Sequence, residues 1–159
     1  MGGRPVKKVS KNRKTLTLFY IMFVIVLACK IFAIYSRQKS TMTYWAIAVD
    51  LMTILVHTIL TCKNPGYLRN EGLEFMKLLE TFDAQSLCPE CEIIRTGRSR
   101  HCIICHQCVD RYDHHCPWIN NCIGLNNHNQ FLLYLIFQEA CLVLSIVQAG
   151  MVIDDFIQG

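Results

Sequence analysis

Three apolar runs set the limits on what this chain can fold into. Residues 16–35, 44–62 and 131–153 each hold about twenty mostly apolar residues. As helices they reach roughly 30 Å, the thickness of a bilayer's hydrocarbon core. Lipid offers no partner for backbone N–H and C=O groups, so spans of this kind are predicted to be helical. The expected fold class is therefore all-α and polytopic, a transmembrane helix bundle. Composition agrees. The chain is 52% hydrophobic and only 18% charged, which excludes a disordered chain, and the bunching of its apolar residues argues against an ordinary soluble domain.

Charge sets the orientation. Arg4, Lys7, Lys8, Lys11, Arg13 and Lys14 precede the first run, and no acid occurs before Asp50. Such a stretch can bind nucleic acid, but one that leads straight into a span reads as a cytosolic flank, here residues 1–15. A cleaved signal peptide is disfavoured, because no small-x-small site is evident and a second span follows closely. Val6 stands where N-myristoylation wants Ser or Thr. Residues 37–43 are too short for a domain, so residues 16–62 are predicted to form a helical hairpin. Its outer loop carries only Arg37 and Lys39, in keeping with a cytosolic N-terminus and a cytosolic segment 63–130. The acidic tail 154–159, with Asp154 and Asp155, then faces the lumen or exterior.

Polar residues inside the runs are few. Lys30 lies near the far end of the first run and is expected to snorkel to the headgroups. Tyr44 and Trp45 suit an interface. Asp50 and His57 are seven residues apart and so share a helical face. An ionisable pair in a span marks a functional site by default; the alternative is an inward face packed on other helices. Gln138 and Glu139 lie within the third run.

Seven of the ten cysteines fall between Cys88 and Cys122. The pattern reads Cys88-x2-Cys91, then His101-Cys102-x2-Cys105-x2-Cys108, then Asp113-His114-His115-Cys116, then Cys122. Paired Cys-x2-Cys turns present two sulfurs about one metal apart, as zinc sites require. Disulfides are the rival, but this segment is placed in a reducing compartment, and seven is odd. Seven cysteines plus His101, His106, His114 and His115 offer eleven donors, while two tetrahedral sites take eight. Spacing does not say which are left over. Asp113, His114 and Cys116 together supply an orienting acid, a base and a thiol, the parts of an activated nucleophile. The competing reading is that all of them fold a zinc ribbon, and the residues alone leave both standing.

Residues 88–131 resemble the cysteine-rich domain of the DHHC family of protein S-acyltransferases. Asp113-His114-His115-Cys116 matches the signature, followed by Pro117-Trp118-Ile119-Asn120-Asn121-Cys122-Ile123-Gly124, then Asn127 and Phe131. Arg95, Arg98 and the His101-Cys102 pair match upstream. The resemblance implies a cytosolic zinc domain of short β-hairpins between the second and third spans. It implies two structural zinc ions, one on Cys88, Cys91, His101 and Cys108, the other on Cys102, Cys105, His115 and Cys122. Cys116 would be the nucleophile, His114 the base and Asp113 its orienting acid, with palmitoyl-CoA as acyl donor. Trp118, Phe131 and Tyr134 would line the mouth of an acyl cavity, and Arg95, Arg98 and Arg111 would meet CoA phosphates. His106 and His128 receive no role and read as surface residues. The implied partners are the bilayer, palmitoyl-CoA and substrate proteins with cytosolic cysteines near an endomembrane, Golgi or endoplasmic reticulum, and no nucleic acid.

Three departures accompany the match. Thr96 stands where the family carries proline, and Asn64-Pro65-Gly66 replaces Asp-Pro-Gly. The chain shows three spans and no Thr-Thr-x-Glu motif, so it reads as truncated after the third. That departure supports an alternative function, a catalytically silent membrane zinc module that scaffolds protein partners.

Overall fold

A computed structural model describes residues 13–35, 41–70, 72 and 74–158. The basic residues Arg4, Lys7, Lys8 and Lys11, and Arg37 and Lys39 of the outer loop, lie outside the described residues. Three long helices carry the apolar runs: α1 (Arg13–Tyr35), α2 (Thr41–Cys62) and α4 (His128–Gln158). Each is long and apolar enough to cross a membrane. Each begins three residues before its apolar run, because a first turn needs no apolar face. The last helix also runs on through Asp154 and Asp155, so the acidic tail is helical as far as Gln158.

The inward face of α2 organises the helices. Ala46, Asp50, Thr53, Val56, His57 and Leu60 are buried along it, three or four residues apart except for the adjacent Val56 and His57, as one helical stripe requires. This face packs chiefly on α4 and more lightly on α1. Lys30 does not reach outward as expected. Its Nζ lies 2.7 Å from Asp50 Oδ2, and both side chains are almost wholly buried. Beside them the Thr53 hydroxyl donates to the Val49 carbonyl and stands 3.0 Å from Cys141 Sγ. Outward residues such as Met22, Val24, Ile146 and Ile153 are exposed and apolar.

Between α2 and α4 in chain order lie a short helix α3 (Phe75–Thr81) and six strands. The strands pair antiparallel as three hairpins: β1 (Leu87–Cys88) with β2 (Ile93–Ile94), β3 (Arg100–Cys102) with β4 (Gln107–Val109), and β5 (His114–Cys116) with β6 (Asn121–Ile123). Each hairpin returns through a residue in the left-handed region, Glu92, His106 and Asn120 with φ near 50°. Strands of two or three residues have too little core to hold themselves, so other contacts must fix them.

Two of those contacts come from the segment after α2. Asn64 Oδ1 accepts from the amides of Gly66 and Tyr67, so asparagine makes the turn in place of the family's aspartate. Leu68 then donates to the Cys108 carbonyl, and Asp110 to that of Gly66, tying this segment to the second hairpin. Gly124 is required at the same junction. A Cβ there would stand 2.7 Å from the Pro65 carbonyl oxygen and 2.8 Å from that of Asp110.

Candidate active site and metal centres

Side-chain alternation sorts the donors. His101 and Cys102 are neighbours on β3 and point to opposite faces, so they serve different clusters. The donor atoms of Cys88, Cys91, His101 and Cys108 lie within 4.8 Å of one another, and so do those of Cys102, Cys105, His115 and Cys122. These are the two ligand sets the resemblance implies.

The spacing within each set suits a tetrahedral ion. Zinc bound at about 2.3 Å to sulfur and 2.0 Å to nitrogen holds S and N roughly 3.5 Å apart. His101 Nδ1 stands 3.6, 3.2 and 3.9 Å from the sulfurs of Cys88, Cys91 and Cys108. His115 Nδ1 stands 3.7, 3.4 and 3.6 Å from those of Cys102, Cys105 and Cys122. Glu90 Oε2 lies 2.6 Å from the far nitrogen of His101, the carboxylate placement that orients a metal-bound imidazole. The two clusters can hold two zinc ions.

Thiol electrostatics point the same way. Hydrogen bonding from Cys122 draws the Cys105 thiol down to about 5, against the opposing effect of burial, while Tyr67 and His115 help. The same hydrogen bond, then burial, pushes Cys122 strongly up. Burial and the neighbouring Cys88 and Cys91 push Cys108 up as well. Packed thiols cannot all ionise together without a cation among them.

Strand β5 separates the remaining residues from the metal donors. His115 points to its cluster, so His114 and Cys116, one residue to either side, point to the opposite face. Cys116 is buried there among Val56 and Leu60 of α2, Ile119, Ile123, and Tyr134 of α4, with Phe131 and Phe137 at the edge. His114 is half exposed. Its Nδ1 stands 3.4 Å from Asp113 Oδ2, and its ring meets Phe131 edge-on at 5.3 Å. The strand thus places the His114 imidazole and the Cys116 thiol on the face away from the metal-donor cluster, with the Asp113 carboxylate just before it beside His114 and the thiol in the junction with α2 and α4.

The other expected residues divide. Phe131 and Tyr134 border the Cys116 cluster, whereas the Trp118 side chain is 56% exposed. Arg98 and Arg111 are exposed. Arg95 is half-buried and turned toward the Cys88 sulfur. With Arg100, Ser86, Thr96 and Ser99 it rims an open basin of about 530 Å³ that excludes Arg98 and Arg111. His106 is exposed in its hairpin turn, as expected. His128 is exposed as well, as expected, and its Nε2 lies 3.8 Å from Asp113 Oδ2. The first residue of α4 thus shares the carboxylate with His114, and no local sequence signal marks a pairing across fifteen residues.

Residues 81–159 match the family model described as DHHC palmitoyltransferase. Palmitoyltransferase ZDHHC4 of Mus musculus is 36% identical over 68% of this chain and 34% of its own length. Palmitoyltransferase ZDHHC3-A of Danio rerio is 31% identical over 87% of this chain and 43% of its own. Palmitoyltransferase akr1 of Schizosaccharomyces pombe is 36% identical over 62% of this chain and 16% of its own. The chain spans less than half the length of each of these relatives.

Proposed function

Since the chain belongs to the DHHC palmitoyltransferase family, we propose that it is a membrane-embedded protein-cysteine S-palmitoyltransferase working through an acyl-enzyme on Cys116. The observation that carries this reading is the placement of Cys116. Its thiol lies on the face of β5 that also carries His114, and it is sunk in the apolar junction of α2, α4 and the third hairpin.

His114 takes the thiol proton, held in orientation by Asp113. The Cys116 thiolate attacks the thioester carbonyl of palmitoyl-CoA. The bond to the CoA sulfur breaks, and the CoA thiolate leaves and is protonated. A thiolate on a substrate protein then attacks the new thioester, takes the acyl group and returns Cys116 to its free form. Each buried CH2 of the chain contributes about 0.8 kcal/mol, so the acyl tail belongs among the helices, with Phe131 and Tyr134 beside the sulfur and Trp118 at the mouth. Arg98 is the candidate contact for CoA phosphates. The two zinc ions, held by the two Cys₃His sets, would be structural. The three long helices would span an endomembrane of the Golgi or endoplasmic reticulum, with residues 1–15 and the 63–130 segment cytosolic and residues 154–159 lumenal.

The test is labelling with an alkyne-tagged palmitate analogue, comparing wild type with Cys116→Ser, with and without hydroxylamine. A hydroxylamine-labile label lost in Cys116→Ser is expected. A zinc-loaded chain that never takes the label contradicts the reading and leaves the scaffolding zinc module in its place.

A further inference from the structure

His57 is wholly buried in α2, yet both ring nitrogens face a polar group. A carbonyl oxygen can only accept, so the Nε2 that stands 3.4 Å from the Trp118 oxygen carries the proton and donates to it. Nδ1 is then the acceptor and faces the Tyr20 hydroxyl of α1 as its donor at 3.3 Å, a proton shared with Thr58 Oγ1 at 3.1 Å. The ring is also gripped sterically. It stacks on Phe19 with centroids 3.9 Å apart and planes 11° from parallel, and Tyr20 meets it edge-on at 5.3 Å. One imidazole therefore joins α1, α2 and the turn between β5 and β6.

That turn begins at Cys116. Its remaining residues are anchored on one side by Ile119, which is fully buried, and bent by the positive φ of Asn120. Apolar packing of Val56, Leu60 and Tyr134 around Cys116 holds the turn close but gives no direction. A hydrogen bond from a ring that is itself clamped does give direction. Burying a polar side chain costs free energy unless it is hydrogen-bonded, and here the partner lies two residues from the proposed nucleophile.

We propose that His57 is a positioning residue for Cys116, fixing the turn of residues 117–120 against the α1–α2 pair through the Trp118 carbonyl. The proposal rests on the acyl-enzyme reading for its functional consequence, while its structural part stands apart from it. The role requires the Nε2 donor, and the imidazole takes no part in proton transfer to substrate.

The experiment uses the full chain in phospholipid nanodiscs, with His57→Phe and His57→Gln beside wild type. Phenylalanine keeps the stack on Phe19 and loses the donor. Glutamine loses the aromatic ring and keeps an amide N–H near the position of Nε2. Three quantities are read: bound zinc, the rate of hydroxylamine-labile acyl loading from palmitoyl-CoA, and amide hydrogen exchange over residues 118–121. His57→Phe is expected to keep its zinc, to load Cys116 about tenfold more slowly or worse, and to exchange faster over the turn, with His57→Gln recovering most of both. Loading and exchange equal to wild type in His57→Phe would overturn the proposal, and so would equal impairment in the two variants. Should His57→Phe lose its zinc, His57→Asn replaces it, since that shorter amide does not reach the Trp118 oxygen. If wild type itself does not load, the transferase reading fails, and the exchange comparison alone decides the role of His57.

Discussion

Asn121 Nδ2 donates to the Leu60 carbonyl at 2.8 Å, so the first residue of β6 closes the last turn of α2. The same nitrogen donates to the Lys63 carbonyl at 2.7 Å. On the other side, Oδ1 accepts from its neighbour Cys122 N–H and from the Tyr67 hydroxyl. Carbonyls at a helix end lack intrahelical partners, and here the Cys-rich segment supplies them. One amide side chain thus locks the Cys-rich unit to the helix beneath Cys116.

Asn121→Ala should therefore destabilise the chain by about 1–3 kcal/mol, the usual cost of leaving buried polar groups unpaired. Asn121→Asp should be worse, because it aims carboxylate oxygens at two carbonyl oxygens. Thermal unfolding in detergent measures both. Equal melting temperatures for all three proteins would remove Asn121 from this role.

The Lys30–Asp50 pair should make the double change far milder than either single one. Removing one partner strands a charge between helices, so Lys30→Met or Asp50→Leu alone should cost about 3–5 kcal/mol. The double variant should recover most of that loss, since an apolar pair of similar volume avoids the desolvation of both charges. Melting temperatures of the four proteins form the test, and additive losses would argue against a direct pair.

Metal removal should undo the three hairpins before the long helices. A chelator should release two zinc ions per chain and raise amide exchange across residues 87–123, with α2 and α4 retaining protection. Acid should act in the same direction. Cys105 is held down to about 5, well below the ordinary thiol value near 9. A lowered pKa stabilises the fold above the unfolded value. That contribution is full above about pH 9, declines below it, and is lost as pH falls through about 5. Zinc content followed from pH 8 to pH 4 should fall toward the acid end. Retention of both ions at pH 4 would contradict the assignment of these thiolates as ligands.

Much of this architecture is legible in the residues, for a physical reason. Backbone groups in lipid must satisfy one another, so three runs of about twenty apolar residues announce three helices. Their polar first turns, such as Thr41 to Thr43, carry no such signal, and the boundaries move there. The seven-residue helix α3 is too short for periodicity to reveal. Spacing identifies the cysteines as donors without dividing them. The division needs strand alternation, which sends His115 one way and His114 and Cys116 the other. The inward turn of Lys30 is not legible in the sequence, because its partner, Asp50, sits on another helix and a cation near the end of a span has no local mark of an inward pair. Asp50 and His57 share an inward face as their spacing implies, but they serve separate networks. His128 meets Asp113 only because α4 starts beside β5, a contact of tertiary structure alone.

The proposed acyl-enzyme carries its palmitoyl group on Cys116. Its most direct test is intact-protein mass spectrometry of the zinc-loaded chain after incubation with palmitoyl-CoA, followed by peptide mapping. A mass gain of one palmitoyl group is expected, confined to the peptide holding Cys116, removed by hydroxylamine and absent in Cys116→Ser. An acyl group that persists in Cys116→Ser, or a folded, zinc-loaded chain that gains none, would contradict it.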